Sequence, residues 1–96
     1  MASNFKIEVH REGAQLHLSL TGDFDGTSAF QLLNILKKKG ARASEIFVHT
    51  EHLRNVYAFG GNVFRSNLGL IKGKSVHLRF TGENAAQLAP HGIALH

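Results

Sequence analysis

The chain contains no cysteine. Disulfides and thiolate metal sites are therefore excluded, which fits a reducing compartment. There is one proline, Pro90, so no proline interrupts the pattern of elements before the last few residues. No apolar run approaches the roughly 18 residues of a membrane span. Met1 to Phe5 shows no basic segment followed by an apolar run, so no signal peptide is read and the cytoplasm is the expected location. Acidic residues are few: seven Asp and Glu stand against eleven Lys and Arg, a formal charge of +4. The basic residues are dispersed, and their one cluster, Lys37-Lys38-Lys39, falls at an expected helix end, where cations complement the macrodipole. That placement argues against a nucleic-acid patch.

What remains is enough for one core. The 96 residues are 43% hydrophobic and 19% charged, and they read as a single domain spanning 1–96. The centre of the pattern is Ile46 to Lys72. Ile46, Phe47 and Val48 form a short continuous apolar run, expected as an interior strand covered on both faces. A polar connection, a turn at Gly60-Gly61 and a helix carrying Val63, Phe64, Leu68 and Ile71 are expected to follow, with Gly73 as its end.

Before this centre, Phe5, Ile7 and Val9 alternate with polar residues, as do Leu16, Leu18 and Leu20. Arg11 to Ala14 reads as the turn between them, giving a β-hairpin. The segment Thr21 to Gly26 is expected to end the second strand, with Thr27 or Ser28 capping a helix. Ala29, Leu32, Leu33 and Leu36 form one face of that helix, and Gly40 stops it. After the centre, Val76, Leu78 and Phe80 alternate in a fourth strand. A short helix through Ala85, Ala86 and Leu88 ends before Pro90. His17 to Asp23 echoes His77 to Glu83, one strand–turn–helix grammar used twice. The predicted class is α/β, in the order β-β-α-β-α-β-α. It is a mixed four-stranded sheet with about three helices mainly on one face, because three strands alternate and so leave one face to solvent.

Candidate chemistry is sparse. His49 and His52, three apart on a strand, are expected to face opposite sides. His-Thr-Glu-His is not the helical zinc pattern, and no metal site is read. His17 and His77 are expected on the open face, in contact if their strands are neighbours. Asp23 and Asp25 resemble a carboxylate pair, but acidic residues near a helix start are stabilising in themselves. No triad stands out, no cofactor is implied, and no enzyme is expected. Gly60-Gly61-Asn62 could hold an anion or simply open a helix. Tyr57 and Phe59 could anchor an interface, or Phe59 could fold into the core.

The order of elements, together with Leu18 to Asp25, Ile46 to Gly60 and Val76 to Gly82, resembles the STAS domain of anti-sigma factor antagonists and sulfate transporters. Gly22-Asp23-Phe24-Asp25 stands where the family carries a Gly-acidic-Leu-Asp segment. Antagonists of the family have Asp-Ser-Ser-Gly at the start of the second helix, with the serine before the glycine phosphorylated by a kinase partner. This chain has Tyr57-Ala58-Phe59-Gly60, so only the glycine matches. His49 stands where the family often has Asp. The resemblance implies a bacterial regulatory module that binds a protein, an anti-sigma factor or related regulator, without the serine switch. It implies neither nucleic-acid binding nor membrane insertion, and leaves self-association open. The expected contact residues are Asp23, Asp25, Thr27, Arg54, Tyr57, Ala58, Phe59, Gly60, Gly61 and Asn62. The alternative is a small-ligand or lipid-handling accessory of a transport system on the same fold.

Overall fold

The computed structural model describes residues 4–39, 43–68 and 77–88. The strands are β1 (Lys6–Glu12), β2 (Gln15–Phe24), β3 (Glu45–Val56) and β4 (His77–Thr81), and the helices are α1 (Gly26–Lys39), α2 (Ala58–Leu68) and α3 (Ala85–Leu88). They follow the expected order β-β-α-β-α-β-α. The strands form one sheet in the order β1-β2-β3-β4. β1 runs antiparallel to β2, while β2–β3 and β3–β4 are parallel. The expected ends of the helices at Gly40 and Gly73, with Ile71, Val76 and Pro90, lie outside the described residues.

The hairpin turn is shorter than the expected four residues. Arg11 and Glu12 belong to β1, and Glu12 pairs with Gln15 across Gly13-Ala14. Gly13 has φ +62° and Ala14 does not share that region. A two-residue turn with glycine first is the form whose twist matches the flanking strands.

One face of the sheet is dry. Leu16, Leu18, Leu20 and Phe24 on β2 meet Ile46, Val48 and Leu53 on β3 and Phe80 on β4. Ala29, Leu32, Leu33 and Leu36 of α1, Phe64 of α2, and Ala85 and Leu88 of α3 cover them. Phe24, Phe64 and Phe80 run through this layer edge to face, with ring centres 6.3 and 6.1 Å apart.

β3 departs from expectation. It is not covered on both faces: its first half alternates, and Phe47 lies half-buried on the open side. An apolar triplet cannot distinguish a doubly covered strand from one with a phenyl ring among its solvated residues. The strand also continues through the segment expected as a polar connection. Ser19 pairs with His49 and Thr21 with His52, so β3 spends three residues where β2 spends two. A second irregularity follows between Gly22 and Asp23. The first bulge puts Thr50 and Leu53 both inward, three apart. It also carries His52 to the same side as its partner Thr21, and hence to the side of His49. The expectation that His49 and His52 face opposite sides is therefore corrected. Asn84 donates from its amide to the carbonyls of Thr50 and Leu53, 3.3 and 3.4 Å away, satisfying backbone that the bulge frees. The Thr50 hydroxyl, fully buried, donates to the carbonyl of Thr81 at 2.6 Å.

Candidate interaction surface at the paired helix starts

The carboxyl ends of β2 and β3 lie side by side, with Asp23 opposite Asn55 and Phe24 opposite Val56. Each strand feeds a helix within two residues, so α1 and α2 start next to each other. β2 runs through Gly22 and Asp23 and ends at Phe24, within the segment Thr21 to Gly26 expected to end it. Asp25 then caps α1: its Oδ1 accepts from the Ser28 N–H at 2.9 Å, and the Asp25 carbonyl accepts from Ala29. The expected caps, Thr27 and Ser28, are instead inside the helix. The Ser28 hydroxyl is buried and donates within the turn, 3.0 Å from Asp25 Oδ1 and 3.1 Å from the Asp23 carbonyl. An aspartate preceding a glycine at the first helical position satisfies the cap geometry directly.

The two helix starts are held by glycines. A Cβ on Gly60 would stand 2.7–2.8 Å from the backbone of Asp25, and one on Gly26 would stand 2.9 Å from the ring edge of Phe59. Gly60 and Gly61 are both buried. Helix α2 begins at Ala58 rather than after Gly60, and the Gly61 N–H already donates to the Tyr57 carbonyl at 3.1 Å. A Cβ on Gly61 would meet the Gln87 carbonyl at 2.9 Å. These glycines set how closely the chains approach. They present no contact surface of their own.

Phe59 is 71% exposed and Tyr57 50% exposed. Of the two readings of Phe59, the ring outside the core is the one observed. Its edge rests on Gly26, and Phe30, one turn further along α1, is 54% exposed. Three large rings thus stand outward near the helix starts. Phe30 was missed from sequence, although a signal existed. It lies next to the apolar stripe Ala29–Leu32–Leu33–Leu36 but outside it, where a helix normally carries polar residues. Around the rings, Asp23 Oδ1 accepts from the Asn55 amide at 2.9 Å, and Thr27, Arg54, Ala58 and Asn62 are exposed. Asn62 also accepts from the Arg65 guanidinium, which reaches the Gln87 carbonyl and ties α2 to α3. All ten expected contact residues therefore gather at one end of the sheet.

The histidines are arranged differently from expectation. β3 separates β2 from β4, so His17 does not neighbour the strand of His77. His17 instead meets His49, with Nδ1 and Nε2 2.9 Å apart, and lies against Phe47 with ring centres 4.7 Å apart. Among the described residues no group of three or more His, Asp or Glu could hold a metal ion. No described helix is long and apolar enough to cross a membrane.

No family model and no curated protein matches the chain. Solved structures do. The anti-sigma factor antagonist SpoIIAA in its unphosphorylated form is similar over 96% of this chain and 86% of its own, with TM-score 0.67 and 11% identity. An uncharacterised protein from Shewanella loihica with a SpoIIAA-like fold is similar over 91% of this chain and 75% of its own, with TM-score 0.58 and 19% identity. The crystal structure of Mglu gives TM-score 0.67 and 17% identity over 91% of this chain, which spans only 20% of that larger one. The fold is that of the STAS domain, as the sequence resemblance implied.

Proposed function

We propose that this chain is a non-catalytic regulatory module that docks a protein partner on the paired helix starts, with no serine switch there. The observation that carries this reading is Phe59: a phenyl ring 71% exposed, resting on Gly26 with Phe30 and Tyr57 outward nearby. A ring left in water at a helix start costs solvation that burial against a partner recovers. At position 59 the antagonists of this fold family carry a phosphorylatable serine. Phenylalanine offers no hydroxyl, and neither does Ala58. A phosphate there would bring about −1.5 to −2 charges into the contact; a phenyl ring keeps it apolar and permanent. The partner class is an anti-sigma factor or a related regulator, met in the cytoplasm of a bacterium.

The test is a capture experiment from native cells with wild type, Phe59→Asp and Lys38→Ala as baits, followed by affinity measurement on what is captured. Phe59→Asp should weaken binding by more than about 2 kcal/mol while remaining folded. Lys38→Ala, at the far end of α1, should change it by less than about 0.5 kcal/mol. Equal binding by folded Phe59→Asp would remove the interface from this end of the sheet.

A further inference from the structure

The open face of the sheet carries a row of imidazoles that the docking surface does not use. The rings of His17 and His49 have centres 5.2 Å apart and planes within 2° of parallel, while their facing nitrogens are 2.9 Å apart. Two imidazoles meet all three conditions only edge to edge in a common plane, with both nitrogens on the line between ring centres. That is the geometry of a straight N–H···N hydrogen bond. It leaves no room for a bridging ion, since two Zn–N bonds in line span about 4 Å.

Donor accounting fixes which way the protons point. Gln15 Nε2 donates to Glu45 Oε1 at 3.2 Å, and a carboxylate only accepts, so the amide orientation is set. Gln15 Oε1 then faces His17 Nε2 at 3.4 Å, and that nitrogen must carry the hydrogen. In neutral His17, Nδ1 is therefore the acceptor, and His49 Nε2–H is the donor. His49 Nδ1 is left as an acceptor, and the Thr81 hydroxyl 2.8 Å away supplies its hydrogen. The chain runs Thr81 to His49 to His17 to Gln15 to Glu45, which also accepts from Arg79 Nε at 3.1 Å.

We propose that the His17–His49 pair is a one-proton switch built into the open sheet face. It takes up one proton with every hydrogen bond kept, and a second only by parting the two rings. The first proton goes to His49 Nδ1; the Thr81 hydroxyl rotates and accepts instead of donating. A second would have to sit on His17 Nδ1, head-on to His49 Nε2–H. The charged groups around the pair come from three strands. From β1, Glu12 lies 3.9 Å from His17 Nε2, the His10 ring centre lies 6.2 Å from that of His17, and Glu8 and Lys6 sit opposite Ser19 and Thr21. On β3, Glu51 approaches His49 Nδ1 at 4.0 Å, with Glu45 and His52 along the strand. From β4, Arg79 pairs with Phe47, and His77 is the backbone partner of Glu45.

Burial pushes the His49 pKa below the ordinary 6.5; Glu51 opposes this, and His17 adds to it only when it carries a charge of its own. The folded state therefore binds this proton less readily than the unfolded chain. The corresponding stability is present above about pH 6.5 and is lost as pH falls through the lowered folded value.

Ring-nitrogen NMR across pH tests the proposal. Near neutral pH both rings should be Nε2–H tautomers, and the pair should protonate in two steps more than about one pH unit apart. Thr81→Val, which removes the rotating hydroxyl, should move the first step to lower pH. In His17→Phe, which takes away the acceptor of His49 Nε2–H, His49 should titrate in a single step, at lower pH than the first step of the wild type. An Nδ1–H tautomer on His17, or both rings of the wild type charging in a single shared step, overturns the proposal whatever the variants do.

Discussion

The same substitution at two glycines 34 positions apart should have opposite outcomes. Gly26 and Gly60 both lie in the first turn of a helix, and neither has positive φ. Alanine should be favoured over glycine at each by up to about 1 kcal/mol of helix propensity. What differs is the obstacle. At Gly26 the new methyl meets Cε2 and Cδ2 of Phe59 at 2.9 and 3.1 Å, the far end of an exposed side chain that can swing away. At Gly60 it meets the carbonyl carbon, Cα and oxygen of Asp25 at 2.7–2.8 Å. Backbone that also caps α1 cannot swing. One helix start must back away from the other, an overpacking that costs about 1–3 kcal/mol. Net of propensity, Gly60→Ala should lose about 1–2 kcal/mol. In a chain of this size that lowers Tm by roughly 5–15 °C. Gly26→Ala should stay within about 0.5 kcal/mol of wild type. Denaturant unfolding with both variants, at unchanged m, is the assay. Equal losses at the two positions, or a stabilised Gly60→Ala, would refute the claim that backbone contact sets the spacing of the helix starts.

Phe64→Ala, which removes the middle ring of the Phe24–Phe64–Phe80 series, should cost about 3–5 kcal/mol in thermal or urea unfolding. Asp25→Ala should cost about 0.5–2 kcal/mol, and hydrogen exchange should rise first at the Ser28 amide that the carboxylate now holds.

Alternation made most of the fold legible. Leu16-Leu18-Leu20 and the stripe Ala29–Leu32–Leu33–Leu36 announced their partners because burial on one side of a strand or helix leaves a period in the sequence. What stayed hidden had no period. The bulge in β3 depends on how two distant strands register, so nothing local in His49-Thr50-Glu51-His52 announces it. The His17–His49 contact follows from strand order, which no local pattern gives, and the condition for a His17–His77 contact, that their strands be neighbours, is not met. The stabilising role expected of an acidic residue at the helix start holds for Asp25, but its spacing to Ser28, that of a cap, names it as the cap in place of Thr27 or Ser28. The ten expected contact residues came from a resemblance, and two of them, Gly60 and Gly61, are buried. Their gathering at one end of the sheet was foreseeable from topology, while the outward turn of Phe59 was not, since a phenyl ring at a helix start packs inward or outward according to whether a glycine opposite leaves room.

The parallel pairing of β2 with β3 also sets a timetable. Gln15 must find Glu45 across a separation of 30 residues, with α1 lying between. The β1–β2 hairpin needs only its two-residue turn, and such hairpins close in about 1–10 μs. A parallel pair carries the entropy of closing the whole intervening loop before its first contact rewards it, which places folds rich in such pairs in the slower part of the range for small domains. During synthesis the hairpin and α1 leave the ribosome before β3 exists to pair with them. The apolar edge of β2, Leu16 to Phe24, therefore waits unpaired until residue 56 has been added, and that interval is when this chain is most exposed to aggregation.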